Sequence, residues 1–405
     1  MANPEHLALI EQGTIVWNEW LDRHKKVIPD LAGANLSGLD LNGIHLNQAD
    51  LNHANLSQTN LAKSQLVNAN LEGANLLGAD LEQANLKGAN LDYVIFTQAK
   101  LNAKTKIAPK SRQVYILVNS KLKDRDLSGI DLSNSNLFHA DLAGVDLSRA
   151  KLVNTNLNSA NLNNAYLLKA DLTKANLQNA DLRNAYFSQA NLTEANLRGA
   201  LCCGAYFKDA EFKFANLDRA KFSPKTIIDF KWYSVWEIVN RGAIKKNLKG
   251  VDLSNANLQG VNFAEANLTN ANLSHAILRH SNLDRANLTN TDLAGANVRG
   301  VDLDRANLKG AKLRSVIGRD TKLQSINSAP SNVMVKERPI IQLENSVSIL
   351  KSSVVPNPNK TAKHNNIFGL LLLAIVMVVI AGGYTSIERN TDFTWQNLLE
   401  KIQLW

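Results

Sequence analysis

Residues 69–91 read A-N-L-E-G, A-N-L-L-G, A-D-L-E-Q, A-N-L-K-G, A-N-L, one pattern repeated every five residues. Leu71, Leu76, Leu81, Leu86 and Leu91 recur in register, each with alanine two places before it and Asn or Asp between. A period of five is neither 3.6 nor 2, so a continuous helix or a plain strand would scatter the leucines over every face. The pattern works only if a turn resets the register once per repeat. Ala-Asn-Leu then forms a short extended piece with Ala and Leu pointing inward and Asn or Asp outward. The two following residues, polar or glycine as in Glu72-Gly73 and Lys87-Gly88, make a corner. Each repeat is one side of a coil, and stacked coils would pair as parallel strands about 4.8 Å apart. A fixed short period of this kind predicts a solenoid.

The register extends outward to 31–101, 122–222 and 248–313, with 15, 21 and 14 inward positions. The A-[ND]-L-x-x run resembles the pentapeptide-repeat family. That resemblance implies an all-β solenoid, a right-handed quadrilateral parallel β-helix with four repeats per coil. The arrays hold few exceptions to inward leucine. Phe96 is the one in the first array, and Phe263 and Val298 stand in the third. The second array ends irregularly with Cys202, Phe207, Phe212, Leu217 and Phe222. One small and several bulky residues so close together predict volume compensation in a close-packed core.

Two breaks interrupt the register, at 102–121 and 223–247. Lys110-Ser-Arg-Gln-Val-Tyr-Ile-Leu-Val-Asn119 aligns without a gap on Lys231-Trp-Tyr-Ser-Val-Trp-Glu-Ile-Val-Asn240. Val114, Tyr115, Leu117 and Val118 match Val235, Trp236, Ile238 and Val239, the spacing of an amphipathic helix face. Each break is expected to hold a short inserted helix lying on the solenoid. A basic docking site is the other reading of the first, with Lys104, Lys106, Lys110, Arg112 and Lys121 as its charges. Residues 1–30 predict a cap helix started by Asn3-Pro4, with Leu7, Ile10, Trp17 and Leu21 on one face. A solenoid end exposes strand edges and leucine, and a cap covers both.

Residues 314–366 are polar, with Pro330, Pro339, Pro356 and Pro358, and read as a flexible linker. Ile367 to Ile387 then runs 21 residues without a charge. As a helix it would span about 31 Å, matching a bilayer core. It is expected to be a single transmembrane helix. Lys351, Lys360 and Lys363 before it place the solenoid on the cytoplasmic side. The tail 388–405, with Trp395, Leu398, Leu399 and Ile402 on one face, reads as an amphipathic helix, at the far membrane surface or inside a complex. Residues 1–30 also lack a charged region followed by an apolar one, so no signal peptide is expected.

The net charge of +9 over 405 residues lies in the interruptions. The arrays hold 22 Lys+Arg against 23 Asp+Glu, whereas 102–121 carries +5, 223–247 carries +3 and 314–366 carries +5. No basic stripe runs along the coils. The two cysteines, Cys202 and Cys203, are adjacent and make no disulfide framework. Cys202 takes a leucine position without zinc-type spacing around it. The sequence holds no phosphate loop, metal motif or nucleophile arrangement. Asp alternates with Asn at one register position, which a catalytic carboxylate would not tolerate; those residues are expected to stabilise corners. No catalytic, cofactor or metal site is therefore assigned, and no enzyme activity is expected.

The function expected is a non-enzymatic, membrane-tethered scaffold for protein partners, with the bilayer engaged through 367–387 and a homo-oligomer possible. Arg198, Lys208, Arg219, Arg285, Arg299 and Arg305, outward at corners, would set partner choice. Topoisomerase inhibition by DNA mimicry, known from the family, is an alternative opposed by the balanced charge of the arrays. Nucleic-acid binding through the basic helices is another. The order of elements resembles cyanobacterial members of the family, which implies a plasma or thylakoid membrane.

Overall fold

Five residues build one side of the coil, and Asp50-Leu51-Asn52-His53-Ala54 shows how. Leu51 and Ala54 are wholly buried. Asp50 bridges in parallel to Asp30 in the preceding coil and to Asn70 in the next. The Leu51 N–H donates to Asn70 O at 2.7 Å and the His53 N–H to Glu72 O at 2.8 Å. The Ala54 N–H closes the corner on Leu51 O at 3.0 Å, and His53 has a φ of +54°. Positive φ at the third residue of a four-residue turn is the type II requirement, usually met by Gly or Asn. Here Asn, His, Gln and Lys meet it as well as Gly. Bridges recur at steps of twenty residues, four sides per coil. A Cβ on Gly73 would collide with the His53 imidazole of the preceding coil, so that glycine answers both to its φ of +65° and to its neighbour.

The computed structural model describes residues 2–120 and 126–318. The chain divides into two units, Met1–Glu337 and Arg338–Trp405, and every described residue belongs to the first. The pairing differs from the sequence expectation in one respect. Most sides contribute a single bridged residue rather than a three-residue strand. A corner every five residues leaves no room for more. The described strands proper are β1 (Tyr206–Phe207) and β2 (Ile227–Ile228), paired in parallel.

Leucine and alanine ladders fill the interior from Leu31 to Leu303. Where threonine replaces alanine, its hydroxyl finds the carbonyl of the coil below. Thr59, Thr155 and Thr291 donate to Leu36 O, Leu132 O and Leu268 O at 2.7–2.8 Å. Ser64 and Ser135, one methyl shorter, are buried with no partner for Oγ.

Helices close the arrays. The N-terminal 30 residues form two helices, α1 (Pro4–Ile10) and α2 (Thr14–Arg23), rather than the single cap helix expected. Asn3 caps the first, accepting from the Glu5 and His6 N–H groups. Gly13, at a φ of +104°, divides them. The division changes the buried set, so that Ile10 and Trp17 are buried while Leu7 and Leu21 are half-buried. The Trp17 indole donates to His45 O at 2.7 Å. Beside it the Asn18 carboxamide accepts from the His45 N–H at 2.8 Å and donates to Gly43 O at 3.2 Å. A preceding coil would offer those groups a peptide; here one side chain offers both halves of it.

The two breaks repeat that device. Each starts with a six-residue side, one residue longer than the rest, so the coil runs on past Leu101 and Phe222 to Lys106 and β2. Thr105 and Thr226 pin this longer side, donating to Leu81 O and Cys202 O at 2.9 Å. Helices α3 (Pro109–Asn119) and α4 (Phe230–Arg241) follow. Asn119 donates to Phe96 O at 2.9 Å and accepts from the Gln98 N–H at 2.6 Å, again a surrogate peptide. Asn240 donates to Leu217 O at 3.0 Å. The coils nonetheless continue past each helix. The Tyr93 N–H donates to Asn134 O and the Phe214 N–H to Asn255 O, both at 2.8 Å. The three arrays therefore stack directly, with a helix wedged beside each joint.

Residues 314–318, expected to open the linker, instead continue the coil, with the Ile317 N–H donating to Ala296 O at 2.8 Å. The rest of the expected linker 314–366, the segment 367–387 and the tail 388–405 lie outside the described residues. Among the described residues no helix is long and apolar enough to cross a membrane.

Candidate functional site

The outward Asn/Asp position serves the fold in two ways. Its Oδ1 accepts the N–H two residues on, as at Asn176, where the Gln178 N–H lies at 3.2 Å. This is the Asx turn, and carboxylate and carboxamide perform it alike. The carboxamide can also donate to the coil below. On one side of the second array Asn156, Asn176, Asn196 and Asn216 each donate to the residue twenty places earlier, from Asn136 upward, at 3.1–3.3 Å. Aspartate fits where it need only accept, as at Asp141 beneath Asn161. Bonds from the Ser133 N–H and hydroxyl, outweighing a smaller desolvation penalty, hold the Asp131 carboxyl below its usual range; Lys110 and Lys151 add to this.

The opposite side of the same coils abandons this rule. Tyr166, Tyr186 and Tyr206 occupy the Asn/Asp position in three successive coils. The first two rings stack 5.1 Å apart and nearly parallel, and the third follows at 6.3 Å, tilted by 38°. Tyr166 and Tyr186 are 49% and 46% exposed. The column continues into exposed Ile227, and Phe230, three residues on at the start of α4, is 80% exposed. Leu168 is exposed on the adjoining corner. None of these side chains can accept the corner N–H as Asn would. Beneath them Phe187 and Phe207 stack at 4.9 Å inside the core.

Cations border this face. Arg149, Lys169, Lys208 and Lys225 are exposed on its corners, outnumbering the exposed Asp209 and Asp229 beside them, and no described ion pair engages these four cations. Arg183 is different: it grips Asp181 with two bonds of 2.6 and 2.9 Å, which hold the Asp181 carboxyl down. Cys203 sits on the corner before Tyr206, partly exposed, its thiol directed to Lys221 O at 3.6 Å. Cys202 is wholly buried, and desolvation pushes its thiol far up. In the same part of the core Phe207 contacts both Phe212 and Phe222.

The six corner cations named from the sequence do not converge. Arg198 pairs with Asp218 at 3.2 Å and Arg219 reaches the same carboxylate at 3.8 Å. Arg285 and Arg305 share Asp284 at 3.9 and 3.7 Å. Arg299 stands on a separate corner, and Lys208 belongs to the tyrosine face. The basic-helix site is also dispersed. Lys110 pairs with Asp92 at 3.5 Å, and Arg112 turns inward to donate to Thr105 O at 2.6 Å. Lys104 and Lys106 remain exposed, and Lys121 lies outside the described residues. Among the described residues no three His, Cys, Asp or Glu side chains gather as metal ligands. The tyrosine column escaped sequence reading, although its spacing of twenty was in plain view.

Comparison with known proteins bears on the fold. The profile described as pentapeptide repeats matches residues 30–64, 64–102, 116–152, 150–189, 185–223, 247–285 and 281–317, more than half of the chain. Its members fold as right-handed quadrilateral β-helices. No curated protein matches the chain. Among solved structures, HetL from Nostoc sp. strain PCC 7120, a pentapeptide repeat protein involved in heterocyst differentiation regulation, is 24% identical. That match covers 72% of this chain and 90% of HetL, with a TM-score of 0.20. A pentapeptide repeat protein of the Arabidopsis thaliana thylakoid lumen is 32% identical over 27% of this chain and 74% of its own, with a TM-score of 0.25. QnrB1, a plasmid-mediated fluoroquinolone resistance protein, is 17% identical over 56% of this chain and 97% of its own, with a TM-score of 0.19.

Proposed function

We propose that this chain, which belongs to the pentapeptide-repeat family, works as a non-enzymatic, membrane-tethered scaffold for protein partners. One observation carries the reading. The fold consumes the inward Leu and Ala and most Asn/Asp side chains on its own ladders and corners, leaving two turn residues per repeat as free surface. A long, regular array of such positions can display a pattern of charge to a partner. Acids and bases alternate along these corners, as in Lys174–Glu194 and Arg198–Asp218, rather than forming an acidic rail. That alternation favours a protein partner over mimicry of duplex DNA. Arg198 and Arg219, exposed beside the asparagine ladder, would contribute to partner choice.

The tether is the uncharged run 367–387, and the lysines before it favour a cytoplasmic solenoid. The test is fractionation of the full chain and of a chain ending at residue 366. Full-length protein should resist carbonate extraction from membranes and recover its partner after detergent, whereas the shortened chain should appear in the supernatant. Full-length protein in the supernatant would end the tether reading.

A further inference from the structure

The tyrosine column sets one side of the second array apart from the others. Three successive coils forgo the corner-capping Asn/Asp and expose Tyr166, Tyr186, Ile227 and Phe230 instead. Departures from Asn/Asp occur elsewhere, as at Ile95, Leu201 and Ile277, but among the described residues only this face repeats them over three successive coils. A sustained break in a local rule points to function. Exposed aromatic patches on a soluble surface mark protein or membrane contact.

The geometry narrows the choice. Tyr186 has a tyrosine ring on either side along the column, so ring edges rather than faces meet solvent. That arrangement is unsuited to stacking a nucleobase or a sugar, which needs an open face. The strip from Tyr166 to Ile227 spans three coil steps, roughly 14 Å at about 4.8 Å each. It is one side wide, well short of the about 800 Å² per partner that a stable protein interface buries. A bilayer surface makes no such demand. Tyrosine with apolar tips and bordering lysines is the composition of interfacial anchors, and exposed cations draw such a face to anionic lipid. Arg149, Lys169, Lys208 and Lys225 supply them, an excess over the two exposed acids of the border, Asp209 and Asp229.

We propose that the face formed by Tyr166, Tyr186, Tyr206, Ile227 and Phe230, with its bordering cations, rests on an anionic membrane surface. The asparagine-ladder side of the same coils, with Arg198 and Arg219, would then remain open to an aqueous partner. This rests on the tether reading, because a tethered rod needs only weak affinity at the high effective concentration its anchor creates.

Cys203 offers a native probe beside Tyr206, since buried Cys202 is shielded from labelling. Full-length protein carrying bimane at Cys203 is reconstituted into phosphatidylcholine vesicles with headgroup nitroxide, with and without phosphatidylglycerol. A second protein, Cys203→Ser with Gln178→Cys, places the label on the asparagine-ladder side. Quenching at Cys203 should exceed that at position 178 severalfold in anionic vesicles. It should drop in neutral ones, and also with Tyr166→Ser/Tyr186→Ser. Lys169→Gln and Lys208→Gln, surface changes that leave the coil intact, should each weaken the apposition by up to about fivefold. Equal quenching at both positions, or no response to either pair of substitutions, overturns the proposal. So does a Cys203 that is protected from labelling in native membranes yet unquenched in vesicles, which would indicate a protein on this face. Protein that carbonate releases fails the tether reading alone. Added back to anionic vesicles, it still decides the face by whether Cys203 is quenched.

Discussion

Two opposite sides of the second array share coils, spacing and core, yet differ in what they show to solvent. One carries Asn136, Asn156, Asn176, Asn196 and Asn216, bonded rung to rung. The other carries Tyr166, Tyr186 and Tyr206. The inner residues next to them, Leu177 and Phe187, are equally buried. The fold therefore sets the inward residue on every side, and only the outward residue records a choice. Where that residue is Asn, it serves the coil. Where it is Tyr, the coil has lost a cap and a ladder bond.

The hardest test of this view removes the shared part. Leu177→Ala and Phe187→Ala should each cost about 3–5 kcal/mol, as fully buried side chains of well-packed cores do. The comparison predicts similar losses on the two sides in urea unfolding. If Phe187→Ala were mild, the tyrosine side would be a loosely packed patch and its exposure would need no function.

The next test separates the sides. Asn176 accepts from the Gln178 N–H and from Asn196, and donates to Asn156. Asn176→Ala forfeits all three and should cost about 1–2 kcal/mol, with each bond worth about 0.5–1.5 before compensation by water. Tyr186→Asn restores a cap and should change stability by no more than about 0.5 kcal/mol, as ordinary surface substitutions do. A large loss at Tyr186 would mean that the stacked rings hold the coil together, and the tyrosines would be structural after all.

Much of this was legible beforehand, and the gaps have physical causes. The five-residue beat alone identified the inward Leu and Ala, because no other structure keeps them on one side. It could not count the sides of a coil; the family resemblance implied four, but the exposure of Tyr166 and Tyr186 and the packing of their rings with Tyr206 came only from the structure. The shared Val-Asn endings at Asn119 and Asn240 were visible, but their role depends on the unpaired peptide groups they face. Gly13 lay inside a plausible helical face, and its φ of +104° splits that face in two. The six-residue sides before α3 and α4 look like the end of the pattern because one inserted residue shifts every later position.

A smaller effect probes the alanine position, which both sides need. Thr59 at that position satisfies its hydroxyl on Leu36 O, whereas Ser64 leaves its own buried without a partner. Ser64→Ala should therefore raise stability by about 1 kcal/mol by removing an unmet polar group, while Thr59→Ala should lower it by about the same amount. Opposite shifts in unfolding temperature would confirm that a buried hydroxyl at this position stabilises the coil only when it finds a carbonyl, as Thr59 does on the coil below.

The smallest effect distinguishes ladders that titrate from those that do not. The asparagine ladder carries no proton-binding group at acid pH, so its contribution should be flat. Asp131 and Asp181, on the two adjoining sides, have carboxyls lowered from the ordinary 3.8, Asp131 mainly by the Ser133 N–H and hydroxyl and Asp181 mainly by the Arg183 guanidinium. A lowered folded value means the unfolded chain binds the proton more tightly, so the stabilisation is fully present above the unfolded value. It falls away as pH drops below 3.8 through the folded values. Because Asp131 is exposed and Asp181 only partly buried, solvent screening should keep the loss slight. Asp131→Asn with Asp181→Asn should flatten the acid limb of the stability curve without altering its neutral plateau much. If the limb kept its slope, proton uptake elsewhere would be setting it, and the Asx corners would hold equally well with either side chain at any pH.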